Sequence, residues 1–384
     1  MDAPLTSAAV QRHALVLPPH APYRRLIGVG GIGSGMFFAL EGEHELGRNE
    51  SRPARLLDVR DYCKLHIVAH YPTVLLGARE DSGPFHVVPV GKVGIDEVGL
   101  RLRAEMEHAG MDVRFVDAVP GHPTLLSVCF QYKDGSGGNF TTTDSAAALV
   151  SERDVDAVER WLSPAAIALA APEVPLAVRR HLLRRATERG ALRVASLTLA
   201  DVEEARATRL LDQVDLLAVN ADEAGALAGE PFPDGPPSGF LERLGRRLRA
   251  RQPSLRLLVT AGARGAFALD GEAWSSASAL PVRVVSSAGA GDALLGATLA
   301  GLAAGLPLVS GRNHVSRPGD GASELASALD LGALVAAFKV TSPHTIPPDL
   351  SLDALLAFAA EQHVAFGPAF RALLPERGEE RHAS

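Results

Sequence analysis

Residues 281–305 read PVRVVSSAGAGDALLGATLAGLAAG, and their order of residue types decides the fold. An apolar, β-branched run gives way to small residues, then to one acid, then to a long apolar segment with the look of a helix. Small residues at a strand-to-helix turn let backbone N–H groups approach an anion closely, and the helix dipole adds positive potential there. A phosphoryl group in transfer needs donors preorganised in this way. Gly289, Ala290 and Gly291 therefore read as an anion hole. Asp292 reads as the base that takes the proton of an attacking hydroxyl. The plainer alternative is an acid that only complements the helix dipole. The apolar stretch 293–309 is short for a membrane span and contains glycines and Pro307, so a buried core helix is expected.

Upstream of this turn the chain alternates. Residues 166–169, 192–197, 216–219 and 255–260 are short apolar runs, with Arg-rich helical segments at 177–189 and 239–251. That spacing argues for βαβ units, and so for an α/β fold with a mainly parallel sheet covered on both faces. The arginine clusters, at amphipathic spacing, read as solvated helix faces. Open α/β sheets bind ligands at the C-terminal ends of their strands. Asn220 and Glu223 follow the run DLLAV and suit Mg²⁺ held through water, with Glu223 as the metal-side acid. The same N-x-x-E spacing also makes an ordinary capping box. Thr260, Gly262 and Gly265 end another run, where paired glycines let a nucleotide lie against the backbone.

The first half is less regular. Residues 26–29 and 85–90 look like strands, and 97–109 carries Val98, Leu102 and Met106 at helical spacing. Residues 124–132 and 139–143, around Asp134-Gly135, read as a hairpin. Gly28, Gly30 and Gly33 form a G-x-G-x-x-G, but a dinucleotide site needs a helix at the last glycine and an acid ~20 residues on. Only residues 36–40 remain before Gly42 and a charged stretch, too few for that helix. His66 and His70 stand at i, i+4 without a metal-binding pattern around them, so they are expected to be structural. Residues 1–22, with prolines at 18, 19 and 22, read as a loose leader without the features of a secretory signal. Residues 23–365 read as one domain and 366–384 as a polar tail.

The 384 residues are 47% hydrophobic and 22% charged, enough apolar material for a large core. A net charge of −7 argues against nucleic acid or an anionic membrane as the main partner. It does not oppose a nucleotide, whose phosphates need only local donors. Two cysteines, Cys63 and Cys129, make no disulfide framework, and a cytoplasmic setting is the expectation.

Taken in order, N-x-x-E, then V-T-x-G-x-x-G, then G-A-G-D ahead of an apolar helix resembles the ribokinase-like carbohydrate kinase family, often called PfkB. Residues 89–113, 122–150 and 334–347 are similar to further family segments, so the likeness runs over roughly residues 24–348. The resemblance implies an αβα sandwich with a small β lid, here from about residues 42–64 and 124–143, through which a homodimer forms. It implies transfer of the γ-phosphoryl group of ATP, with Mg²⁺, to a hydroxyl of a sugar or sugar-like small molecule. Nucleoside kinases share the fold, and a catalytically silent binding protein is the remaining alternative. Carried over by position, Asp292 is the base and the 289–291 backbone the anion hole. Asn220 and Glu223 match the phosphate and metal-water site, and Thr260, Gly262 and Gly265 match the nucleotide site.

Departures concentrate at the acceptor. Ser286 and Ser287 stand where the family has an Asp followed by Thr or Ser, which speaks against its monovalent-cation site. The acid expected soon after the first strand is replaced at Gly33, Ser34 or Gly35. Residues 60–77 lack the family's Gly-Gly and Asn, and an acid-containing motif is degraded at 194–201. Arg48, Asn49, Asp61 and Lys64, with Gly33, are the residues expected to contact the acceptor instead.

Overall fold

The computed structural model describes residues 13–80, 82–133, 137–311 and 324–375, and residues 314–316 by their backbone. Its first half supplies β1 (Arg25–Val29), β2 (Gly33–Leu40), β3 (Ala54–Tyr62), β4 (His86–Gly94), β5 (Val116–Val119), β6 (Leu125–Gln131) and β7 (Gly137–Thr141). The second half supplies β8 (Ala166–Ala170), β9 (Leu192–Ser196), β10 (Leu216–Asn220), β11 (Arg256–Thr260), β12 (Ala266–Asp270), β13 (Ala273–Ala277) and β14 (His314–Ser316). Among the described residues, ten strands form one sheet in the order β14-β13-β12-β11-β10-β9-β8-β1-β4-β5. Pairing is parallel throughout, apart from β12 against its neighbours β11 and β13. Strands covered on both faces need unbroken apolar runs. The sequence AIALA of β8 is buried at every position.

Helices cover both faces. On one, Ala290–Ala303 packs against Lys64–Leu75 and Ala328–Val340 in the largest apolar cluster. Its residues from Ala293 to Ala303 are all buried, which explains an apolar stretch that spans no membrane. No helix among the described residues is long and apolar enough to do so. On the other face, Ala221–Ala228 and Ser238–Arg249 help to bury a second cluster.

A separate four-stranded sheet, β3-β2-β6-β7, rises from the C-terminal edge of the large one. Its hairpin strands β6 and β7 pair antiparallel as expected, and the Asp134-Gly135 turn lies outside the described residues. The lid also includes Gly33–Leu40, so the third glycine of the G-x-G-x-x-G opens a strand. Residues 42–53, expected within the lid, connect β2 to β3 at the end where Leu40 faces Ala54.

Three expectations are corrected. Within the expected loose leader, Leu15 and Leu17 are buried, and Leu15 N–H donates to the Leu75 carbonyl. The polar tail begins later than residue 366, because Phe370 and Leu373 are buried in the main core. Residues 281–285 form no strand: Val285 N–H bonds instead to the Val340 carbonyl at 2.7 Å.

Candidate active site

Helix Ala290–Ala303 is entered through Gly289, whose φ of 75° lies in the left-handed region. A Cβ there would also stand 3.0 Å from Thr345 Cβ, so both backbone and packing favour glycine. Ala290 N–H donates to the Ser287 carbonyl at 3.1 Å and closes the turn. Gly289 and Gly291 line the cavity in front of the helix, whereas Ala290 faces a neighbouring apolar slot. Of the residues expected to form the anion hole, Gly289 and Gly291 line the central cavity and Ala290 does not.

Asp292 is mostly buried, and its Oδ1 lies 3.5 Å from Lys64 Nζ. Lys64 opens helix Lys64–Leu75, and the Asp292 carboxylate beside it raises the pKa of its ammonium above the ordinary lysine range. Its backbone N–H donates to Glu173 Oε2 at 3.1 Å. Glu173 follows β8 and holds a φ of 72°, a conformation that costs a non-glycine residue roughly 1–2 kcal/mol. Burial pushes its carboxyl up to about 7. A strained, perturbed acid that acts on both Lys64 and Asp292 points to a working site more than to packing.

In the lid sheet, the segment after β1 that lacks an acid faces one on the neighbouring strand. Gly35 of β2 is paired with Asp61 of β3, and any Cβ on Gly35 would collide with the Asp61 carboxylate. Asp61 is 7% exposed, and burial pushes it up to about 6. Thr345 fastens this strand to the C-terminal segment: its Oγ1 accepts from Tyr62 N–H at 3.1 Å, and its N–H donates to the Arg60 carbonyl at 3.1 Å.

Two cavities meet at Asp292, and a third adjoins them at Thr260 and Gly291. A cleft of about 610 Å³ under the lid is lined by Asp61, Lys64, Glu173, Gly289 and Asp292, with Phe37, Phe130 and Asn139 from the lid sheet. A central cavity of about 200 Å³ shares Lys64, Gly289 and Asp292 and adds Asn220, Glu223, Thr260 and Gly291. An apolar slot of about 410 Å³ shares Thr260 and Gly291 and adds Gly262, Gly265, Leu280 and Val340. Asn220 and Thr260 are register partners at the ends of β10 and β11, which brings them to one edge. Asn220 Oδ1 accepts from Glu223 N–H, and Glu223 Oε2 accepts from Asn220 N–H, both at 2.8 Å. The capping box thus exists, and it also fixes Glu223 toward the central cavity.

Of the expected acceptor residues, Asp61 and Lys64 reach the cleft. Gly33 is packed against Leu125 and Cys63, and Arg48 and Asn49 are exposed in the connection beyond the far end of β2 and β3, so these three do not line it. His66 is buried, and burial lowers its pKa, so it stays neutral with its ring 6.0 Å from that of His70. Glu173, Thr345 and Lys339 were not anticipated. Each lies far in sequence from the residues it touches, and only the positive φ of Glu173 marks one of them locally. Cys63 and Cys129 are free thiols.

Residues 78–351 match the pfkB family carbohydrate kinases. The chain belongs to that family. The match begins after β2, β3 and Lys64–Leu75, the elements that carry Asp61 and Lys64. Ribokinase from Giardia lamblia superposes with a TM-score of 0.68 at 15% identity, covering 87% of this chain and 99% of its own. Arabidopsis thaliana ribokinase, solved with ribose and ATP, gives 0.63 at 18% identity and covers 88% and 98%. A Burkholderia thailandensis nucleoside kinase in complex with inosine gives 0.63 at 15% identity and covers 88% and 99%. These likenesses establish the ribokinase-like fold of this pfkB family member.

Proposed function

We propose that this pfkB family protein transfers the γ-phosphoryl group of ATP to a hydroxyl of an unphosphorylated sugar or sugar-like molecule, with Asp292 as general base. The observation that carries the reading is the position of Asp292 where the lid cleft and the central cavity join. The apolar slot takes the nucleobase, the central cavity the phosphates and the lid cleft the acceptor. In the reaction the acceptor oxygen attacks the γ-phosphorus, the bond to the β,γ-bridging oxygen breaks, and ADP leaves. The hydroxyl proton passes to Asp292. Gly289 and Gly291 N–H groups hold the charge that develops on the transferring oxygens. Lys64, which lines both cavities, neutralises part of it and holds Asp292 in place.

Mg²⁺ suits the oxygen-rich central cavity, where Glu223 would hold it through water and it would neutralise phosphate charge. Asp61, carried on β3 and lying over Gly35, takes the role of the missing sugar-binding acid and accepts a hydrogen bond from an acceptor hydroxyl. Phe37 and Phe130 on the lid favour an acceptor with one apolar face, which supports a nucleoside as the second choice. The test is ADP formation from Mg·ATP across unphosphorylated sugars, polyols and nucleosides. Failure to bind Mg·ATP by calorimetry would refute the kinase reading outright.

A further inference from the structure

Lys339 is fully buried in the last turn of helix Ala328–Val340. Its Nζ donates to the Ser286 carbonyl at 2.8 Å. The next residue of the same helix, Val340, accepts from Val285 N–H at 2.7 Å and from Ser286 N–H at 3.3 Å. The peptide groups on both sides of Ser286 are thus tied to one helix end, and the loop they anchor leads directly to Gly289, Gly291 and Asp292. A helix C-terminus favours a cation, and the carboxylates of Asp61 on β3 and Asp292 on Ala290–Ala303 both act on this one. An ammonium with no access to water is expensive to keep, so an uncharged residue would serve packing alone better.

The resemblance associates a monovalent cation with an Asp at the position of Ser286. The residues present do not fit such an ion: the carboxylate is absent, and the Ser286 carbonyl already accepts from an ammonium. We propose that Lys339 is a built-in cation that positions the anion-hole loop and makes phosphoryl transfer by this chain independent of monovalent salts. The proposal rests on the kinase reading above and adds to it how the loop is held.

The test uses the full chain with Mg·ATP in potassium, sodium, caesium or choline chloride at matched ionic strength. Calorimetry reads ATP affinity, differential scanning fluorimetry reads Tm, and ADP formation reads turnover. For the wild-type protein, affinity, Tm and turnover should agree across the salts within about twofold, or for Tm show no specific potassium effect. Lys339→Met should lower kcat by at least ~10-fold through misplacement of the loop, with acceptor KM little changed. Tm should stay level or rise, because a buried charge is gone. A merely structural lysine would show the reverse, a lowered Tm with kcat retained, and that result would overturn the proposal. A specific potassium gain of more than ~5-fold in wild-type affinity or turnover would overturn it too, while leaving the kinase reading intact. Absence of ATP binding in every salt would overturn both. The wild-type salt series decides the matter even if the variant does not fold.

Discussion

Asp61→Asn should make the protein more stable and a worse enzyme. Asp61 is 7% exposed, and burial raises its carboxyl from 3.8 to about 6. A rise of that size links protonation to folding by about 3 kcal/mol. The sign follows from a raised acid: the folded state holds the proton more tightly than the unfolded chain. The stabilisation is complete below pH 3.8 and is lost as pH rises through about 6. Above pH 6 the wild-type fold therefore carries a buried charge that an amide would not. Asn keeps the size of the side chain and one acceptor oxygen, so a net gain of about 1–3 kcal/mol is expected at neutral pH. At this chain length that is a rise in Tm of a few degrees, shrinking to nothing at about pH 4. The acceptor loses a charge-assisted hydrogen bond worth about 1.5–3 kcal/mol, so kcat/KM for it should fall ~10- to 150-fold with ATP affinity unchanged. Fluorimetry from about pH 4 to 8 and a coupled ADP assay measure both. A variant with lowered Tm at neutral pH and unchanged acceptor kinetics would make Asp61 a structural residue and refute the reasoning.

Other perturbations separate the remaining roles. Asp292→Asn keeps the shape but removes the proton acceptor, so kcat should fall at least ~10²-fold with ATP affinity little changed; near-normal turnover with lowered Tm would reduce Asp292 to a helix-dipole partner. Gly262 has a φ of 55° and lines the apolar slot, with open space where a Cβ would stand. Gly262→Val should therefore weaken ATP binding in calorimetry while acceptor KM stays near wild type, and unaltered ATP affinity would remove the nucleobase from that slot. The exposed Arg48 and Asn49 should be dispensable: the paired alanine variant should keep acceptor KM within about twofold, and a larger rise would place the 42–53 connection over the cleft in the working enzyme.

How much of this was legible depends on what a residue's neighbours are. The strands of the second half announce themselves because burial on both faces demands apolar runs, and the expected 216–219 became Leu216–Asn220. The G-A-G-D turn was legible because its chemistry is local, from the glycine conformation to the acid in the first turn. The lid was less so. β2, GSGMFFAL, is only part-buried, and its pairing with β3 and β6 is set by residues far along the chain. PVRVV misled for the opposite reason: its composition favours a strand, but Val285 N–H bonds to the end of a helix instead. Asp61 was one of several polar residues expected near the acceptor, and only the register sets it over Gly35.

Asp61 and Lys339 also show why the acceptor side resists reading from sequence. Burial drives both toward neutrality, the acid up to about 6 and the amine down to about 8, although each favours the charge on the other. Their mutual attraction is thus smaller than the cost of taking both out of water, and apolar replacements would suit the fold better. Opposite charges kept at that cost, one in the cleft that Gly289 also lines and the other on the Ser286 carbonyl, argue for use, the first in the proposed acceptor contact and the second in the proposed hold on the loop. Neither sits in a local motif, since a lone Asp on a strand and a lone Lys on an apolar helix look ordinary by themselves. Their meaning comes from what the fold sets against them, the bare face of Gly35 and the carbonyl of Ser286.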